Sequence, residues 1–120
     1  EADVVAFSDP NELLERAKIT PCDVAFLDVR MGSMTGVELA KKLKELSAKK
    51  QVICVSHQPQ LAAIADNHIK ISKAQEGERT VTRLTKLSHD DRITEIARII
   101  DGDNFTETAV KHAKEMLDLK

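Results

Sequence analysis

The sequence predicts an α/β fold with a three-layer open sheet, mostly parallel, between two layers of helices. Apolar strand-like runs alternate with amphipathic helical segments along the first half of the chain, as in parallel strands joined by helical crossovers. Two further amphipathic segments close the chain, and each needs an apolar surface to cover. We therefore expect a C-terminal β-hairpin strand and two C-terminal helices on the second face of the sheet.

Composition narrows the possible functions. The chain has 120 residues, which predicts a single α/β domain over residues 1–120. Its formal net charge is −2, and it has no Trp, no Tyr and only three Phe. Nucleic-acid partners favour basic surfaces and aromatic stacking platforms, so we expect no nucleic-acid partner. No apolar run approaches the length of a membrane span, and we expect no membrane association.

The cysteines and the N-terminal region bear on cellular location. No signal peptide is visible. Cys22 and Cys54 lie beside or within apolar runs and lack the close spacing of metal or redox motifs. We therefore expect a cytoplasmic protein with two reduced thiols, without a cofactor and without a metal site.

The first half of the chain contains three predicted strands, at 4–7, 23–28 and 51–56. Capping boxes at Asp9 and Thr35 each predict the start of a helix. The spacing of apolar residues in the second of these helices predicts that its buried face comprises Val37, Ala40, Leu43 and Leu46. A short helix is predicted after the third strand, from about 59 to 66.

The second half begins with a predicted β-hairpin. Two runs with period-two alternation, at 68–72 and 80–86, flank a charged segment that contains Gly77. A helix is predicted to begin at Ser88, and Asn104 is predicted to cap a last helix. If each new strand is added to the same side of the sheet, the strand order is 4–7, 23–28, 52–56, 68–72, 80–86, with the last strand antiparallel.

Asp28 is the strongest candidate for a chemical role. It closes the apolar run 23–28, and ligands of open parallel sheets collect at the carboxyl ends of strands. The carboxylate would then handle a phosphoryl group or a metal ion. The alternative is a carboxylate that is solvated or bonded to amides of the following turn, because one carboxylate is a poor Mg²⁺ site.

The segment 25–39, Ala-Phe-Leu-Asp-Val-Arg-Met-Gly-Ser-Met-Thr-Gly-Val-Glu-Leu, resembles the response-regulator receiver family around its phosphate-accepting aspartate. The resemblance covers about residues 1–46. It implies that Asp28 accepts a phosphoryl group and that Ser56 and Lys73, near the ends of the next two strands, stabilise it. The sequence departs from the family where Gly32-Ser33 replaces Pro-Gly and where the first strand with its acidic Mg²⁺ ligands has no counterpart.

Residues 47–120 resemble the C-terminal segment of the RecN family of DNA-repair ATPases. The resemblance rests on the segments 51–66, 79–84, 92–98 and 106–117. It implies that His57 occupies the position of the ATPase's switch histidine and that Asp28 fits the Walker B aspartate. Val29 stands where the catalytic glutamate is expected. The sequence has no GxxxxGK[ST] loop to hold nucleotide phosphates.

The two resemblances together predict an engineered or recombined chimera with its junction near residues 45–50. A start without Met inside the receiver pattern fits this reading. We expect a chimeric α/β scaffold that is not an enzyme and has no intact catalytic or nucleotide-binding site. The alternatives are a receiver-like phosphoacceptor module that uses Asp28 and a non-hydrolysing fragment of an ABC/SMC-type ATPase. The only predicted association is with itself, through an open sheet edge.

Overall fold

A computed structural model describes residues 24–28 and 36–119 of the chain. The predicted strand at 4–7, the helix predicted to begin at Asp9, and Cys22 lie outside these residues. The chain divides into two compact units, 1–57 and 58–120, and each is described here by itself. The prediction of one domain over residues 1–120 concerns how the units are arranged, and it stays a prediction.

The first unit contains a strand–helix–strand motif. Strand β1 (Val24–Asp28) is followed by helix α1 (Gly36–Ser47) and strand β2 (Gln51–Val55). The strands pair in parallel, with Val24 opposite Gln51 and Asp28 opposite Val55. The predicted parallel pairing of these two runs across a helical connection is therefore confirmed.

Helix α1 buries a slightly different face from the one predicted. Its buried residues are Leu39, Ala40 and Leu43, whereas Val37 is 51% exposed. An α-helix has 3.6 residues per turn, so Val37 lies on the opposite side of the helix from a stripe centred on Leu39 and Leu43. The prediction for Val37 was wrong because Leu39, which it omitted, lies nearer the centre of the buried stripe.

The second unit contains three helices and a hairpin. Its elements are α2 (Pro59–Ile64), β3 (Ile69–Glu76), β4 (Arg79–Lys86), α3 (His89–Asp101) and α4 (Glu107–Asp118). Strands β3 and β4 are antiparallel, with Glu76 opposite Arg79, so the predicted hairpin is confirmed. Gly77 has φ +62° at the first position of the two-residue loop, as a type II′ turn requires.

The predicted strand order was wrong at one step. The described strands form two separate two-stranded sheets, β1–β2 and β3–β4, so the 68–72 strand does not pair with the 52–56 strand. A two-residue hairpin loop closes at a low entropic cost, and β4 supplies hydrogen-bond partners along all eight residues of β3. The chain thus has mixed helix and strand content, with one parallel and one antiparallel strand pair.

The core of the second unit is formed by helices. Ile96 and Ala97 of α3 and Ala113 of α4 are fully buried. The cluster also contains residues of α2 and further residues of α3 and α4, namely Ala63, Ile93, Ala109 and Leu117. The C-terminal helices were predicted to cover the second face of a sheet. Within the second unit, their apolar stripes cover each other and α2, because small residues at the contact allow close packing. The predicted cover of a second sheet face stays a prediction.

Side-chain caps begin both C-terminal helices. The Ser88 hydroxyl accepts from the Asp91 amide at 3.2 Å, which confirms the predicted start of α3. The predicted cap of the last helix was wrong, because Thr106 rather than Asn104 caps α4 and accepts from the Ala109 amide at 3.3 Å. A carboxylate oxygen of Asp101 accepts from the Thr106 amide at 3.0 Å and so stabilises the longer connection.

Replacing Ile96 by Ala tests the helical core. The expected loss in the free energy of unfolding is roughly 2–5 kcal/mol, because the change leaves a cavity where the side chain is fully buried. Ile71→Ala is the matched control. Ile71 is 58% exposed on the hairpin, so the expected loss is under about 1 kcal/mol. Urea unfolding followed by circular dichroism measures both, and equal losses would contradict this account of the core.

Candidate functional site

The carboxyl edge of the β1–β2 pair gathers three of the predicted site residues. Asp28 is the last residue of β1 and lies opposite Val55, the last residue of β2. Ser56 and His57 follow Val55 directly. Because the strands are parallel, all three residues lie at the same end of the pair, which is where α/β sheets bind ligands.

The chemistry available at this edge is limited but specific. A carboxylate can accept a phosphoryl group, and a serine hydroxyl can donate a hydrogen bond to a phosphoryl oxygen. Ser56 is half-buried, whereas His57 is exposed. The register therefore brings Asp28 and Ser56 to one strand edge, as the receiver resemblance implies, and their role in handling a phosphoryl group stays a prediction.

Lys73 does not lie at the end of a strand. The resemblance placed it near the end of a strand, but it is in the middle of β3, opposite Thr82 of β4, and its side chain is exposed. It belongs to the antiparallel sheet of the second unit, whereas Asp28 and Ser56 belong to the parallel pair of the first. A stabilising role for Lys73 beside Asp28 stays a prediction.

Sequence reasoning missed a buried arginine on α3. Arg92 is 8% exposed, and its Nη2 donates to the carbonyl oxygens of Ala62, Ala63 and Ala65 at 2.9, 3.2 and 2.8 Å. These carbonyls lie at the C-terminal end of α2, where helix carbonyls lack partners within the helix and a positive charge is favourable. Burial lowers the pKa of Arg92, and Asp66 opposes that shift. Arg92 therefore connects α3 to the end of α2.

A buried glutamate lies one helical turn further along α3. The Glu95 carboxylate accepts from Lys70 Nζ at 2.8 Å and from Arg98 Nη2 at 2.5 Å. Arg98 Nε also donates to both carboxylate oxygens at 3.1 Å. Burial by itself would raise the pKa of Glu95, but the hydrogen bonds and charges of Arg98 and Lys70 outweigh it and lower the pKa below the ordinary value. Glu95 is thus a buried anion held by two cations.

The spacing of residues along α3 could have indicated that Arg92 and Glu95 are buried. Arg92 and Ile96 are four residues apart, so they lie on the same face of α3. Glu95 is adjacent to the fully buried Ile96. A charged residue within an apolar stripe indicates a buried polar contact, but its partners come from α2 and β3, which are distant in sequence.

Two further findings concern the described residues. Within residues 36–119, no three His, Cys, Asp or Glu side chains are grouped so that they could hold a metal ion. None of the helices described above is long and apolar enough to cross a lipid bilayer.

Comparison with known proteins places the chain in a family. Residues 1–72 match the response regulator receiver domain, and the chain belongs to that family. The C-terminal part is similar to DNA repair protein RecN. The RecN of Halalkalibacterium halodurans is 41% identical over 93 residues, and that of Rickettsia felis is 42% identical over 93 residues. The RecN of Bacillus subtilis is 37% identical over 91 residues.

The extent of these matches bears on the candidate site. Each RecN match covers 76% or 78% of this chain but only 16% or 17% of the relative, so the chain spans about one sixth of those proteins. The receiver match extends to residue 72, past the predicted junction near residues 45–50, and the two matches overlap. Ser56 and His57 lie in both. The combination of receiver and RecN sequence that was predicted is therefore confirmed, with a shared region in place of a sharp junction.

Arg92→Met tests the contact between α3 and α2. Methionine retains the aliphatic length of the arginine side chain but has no guanidinium group. The carbonyl oxygens of Ala62, Ala63 and Ala65 are then left without their donor. The expected loss in the free energy of unfolding is roughly 2–4 kcal/mol. Arg83→Met is the control, because Arg83 pairs only with the exposed Glu76 in the contacts described here, and its expected loss is about 0–1 kcal/mol. Chemical denaturation measures both, and a small loss for Arg92→Met would contradict the assigned contact.

Glu95→Gln tests the buried anion through pH. Folding lowers the pKa of Glu95 from about 4.5, its value in the unfolded chain. The ionised carboxylate therefore stabilises the fold fully above this pH, and the stabilisation is lost as the pH falls through the lower pKa of the folded state. The stability difference between wild type and variant should therefore be largest near neutral pH and shrink in acid. Thermal melts across pH 3–7 measure it. The control is Glu115→Gln on the exposed surface of α4, and a pH-independent difference for Glu95→Gln would contradict the assignment.

Proposed function

We propose that this chain is a non-catalytic α/β scaffold, an engineered or recombined chimera of a receiver-like part and a RecN-like part. The supporting observation is the position of Lys73. The receiver resemblance expects its lysine at the end of a strand, whereas Lys73 lies in the middle of β3, opposite Thr82 of β4. In this proposal the chain is not an enzyme.

The chemistry of phosphoryl transfer supports this proposal. Transfer to an aspartate requires a divalent cation and positive charge to neutralise the transferring group. The 120 residues contain no GxxxxGK[ST] loop for a nucleotide. Val29 stands where an ATPase of the RecN type has its catalytic glutamate.

A second candidate function is phosphate acceptance at Asp28. The register of β1 and β2 favours this function, because Asp28 lies opposite Val55, the residue that directly precedes Ser56. Membership of the receiver family also favours it. This candidate needs Mg²⁺ held by Asp28 and by the oxygens of the donor phosphate.

A cytoplasmic location is part of the proposal. Cys54 is half-buried and forms no disulfide among the described residues, which agrees with a protein kept under reducing conditions. The RecN relatives are named as DNA repair proteins, but this chain spans about one sixth of their length. The proposal therefore carries over neither DNA repair nor ATP hydrolysis to this chain.

Incubation with acetyl phosphate and Mg²⁺, followed by intact-mass spectrometry, separates the two candidates. The scaffold proposal predicts an unchanged mass, because a single carboxylate is a poor Mg²⁺ site. An added phosphoryl group that is lost in Asp28→Asn but retained in Asp118→Asn would overturn it and establish the second candidate. Calorimetry with ATP and Mg²⁺ is expected to give no heat of binding, and clear binding would instead support the ATPase-fragment alternative.

A further inference from the structure

The hairpin is tied to α3 at its open end by a small group of side chains. This group, here named the hairpin anchor, comprises His68, Lys70, Arg92 and Glu95. Lys70 Nζ and Glu95 form an ion pair of 2.8 Å between β3 and α3. The His68 carbonyl accepts from the Leu87 amide at 2.9 Å, which closes the hairpin next to the anchor.

The imidazole of His68 lies in an unfavourable place for a positive charge. Its Nδ1 is buried and has no hydrogen-bond partner among residues 24–28 and 36–119. Arg92 of α3 and Lys70 of β3 repel a proton on the ring, and Glu95 attracts one. The Glu95 carboxylate already accepts from Lys70 and Arg98. A protonated Nδ1 would bring a third cation and an unsatisfied buried donor into this group.

The other elements around His68 add little compensating charge. Helix α2 contains no charged residue, and Asp66, which follows it, acts on Arg92. On β4, Lys86 lies opposite Ile69, so it shares the outward face of the hairpin with Ile69. Glu95 is therefore the carboxylate whose attraction must offset two cations and the cost of burying a charge.

We propose that the hairpin anchor is an acid-sensitive contact, in which protonation of His68 releases the hairpin from α3 while the helical core stays folded. The hairpin depends on this contact because its outward face is open, with Ile69, Ile71 and Leu84 all exposed. A two-stranded hairpin is marginal when isolated. The buried cluster of α2, α3 and α4 contains no hairpin residue, so it can persist without the hairpin.

The pH range follows from the sign of the shift. Burial first, and then Arg92, lower the pKa of His68 from 6.5, with Glu95 opposing. The neutral imidazole therefore contributes its full stabilisation above pH 6.5. That stabilisation is lost as the pH falls below 6.5 and through the lower pKa that His68 has in the folded state. The pKa of Glu95 is lowered from 4.5, so that residue stays ionised in mildly acidic solution. His68 and Glu95 therefore act in different pH ranges.

Hydrogen exchange by NMR on the full chain tests the proposal between about pH 7.5 and 5. After correction for intrinsic exchange rates, the protection of amides in β3 and β4 should fall. The expected loss is about tenfold for each unit by which folding lowers the pKa of His68. Amides of α3 and α4 around Ile96 and Ala113 should keep their protection. Equal loss in the helices, or no loss in the hairpin, would overturn the proposal.

His68→Gln removes the titrating group and should make hairpin protection independent of pH in this range. His112→Gln, on the exposed surface of α4, should behave as wild type. The imidazole signals of the wild-type protein provide a second measurement, which does not depend on how well a variant folds. Hairpin opening must follow the titration of His68, and opening at a different pH, or persisting in His68→Gln, contradicts the proposed role.

Discussion

The second unit depends on the close contact between α3 and α4. Ala97 and Ala113 are fully buried there, and their small side chains allow the two helices to approach closely while Ile96 fills the remaining space. With only three Phe and no larger aromatic residue, the chain builds this core from aliphatic side chains. Phe105 packs against the cluster from the connection between the two helices.

The same helix that forms the core also holds the surrounding elements through buried charges. Arg92 binds the carbonyls at the end of α2, and Glu95 binds Lys70 of β3. Each charge loses hydration on burial, and each is compensated by several hydrogen bonds rather than by one. Removing a single partner leaves a buried charge uncompensated, which costs more than the pair contributes. Helix α3 therefore couples α2, the hairpin and α4 to one another.

The first unit contains a motif that fits both of the resemblances found in the sequence. A parallel strand pair joined by a helix, with a carboxylate at the end of the first strand, fits both resemblances. The register that places Asp28 opposite Val55 retains this common part. The features that distinguish the families lie outside this motif, including the acidic Mg²⁺ ligands of the receiver family and the phosphate loop of the ATPase. A function cannot be taken from the shared motif alone, because activity resides in the complete site.

The sequence by itself determined the local elements of this protein. Gly77 and the flanking alternation predicted the hairpin, Ser88 predicted the start of α3, and the run ending at Asp28 predicted a parallel strand whose end lies beside Ser56. These features depend on neighbouring residues or on a single crossover, so short patterns contain the information. Placing Asp28 and Ser56 at one edge was within reach of the sequence for this reason.

Only the tertiary structure decided which surfaces meet. It paired β3 with β4 along eight residues, which places Lys73 in the middle of a strand, and it gave the buried Arg92 and Glu95 partners from α2 and β3 that are distant in sequence. It also moved the cap of α4 from Asn104 to Thr106, where Asp101 supports the connection. The physical reason is that burial and ion pairing depend on the faces brought together in space, and several sets of contacts are compatible with the same local pattern.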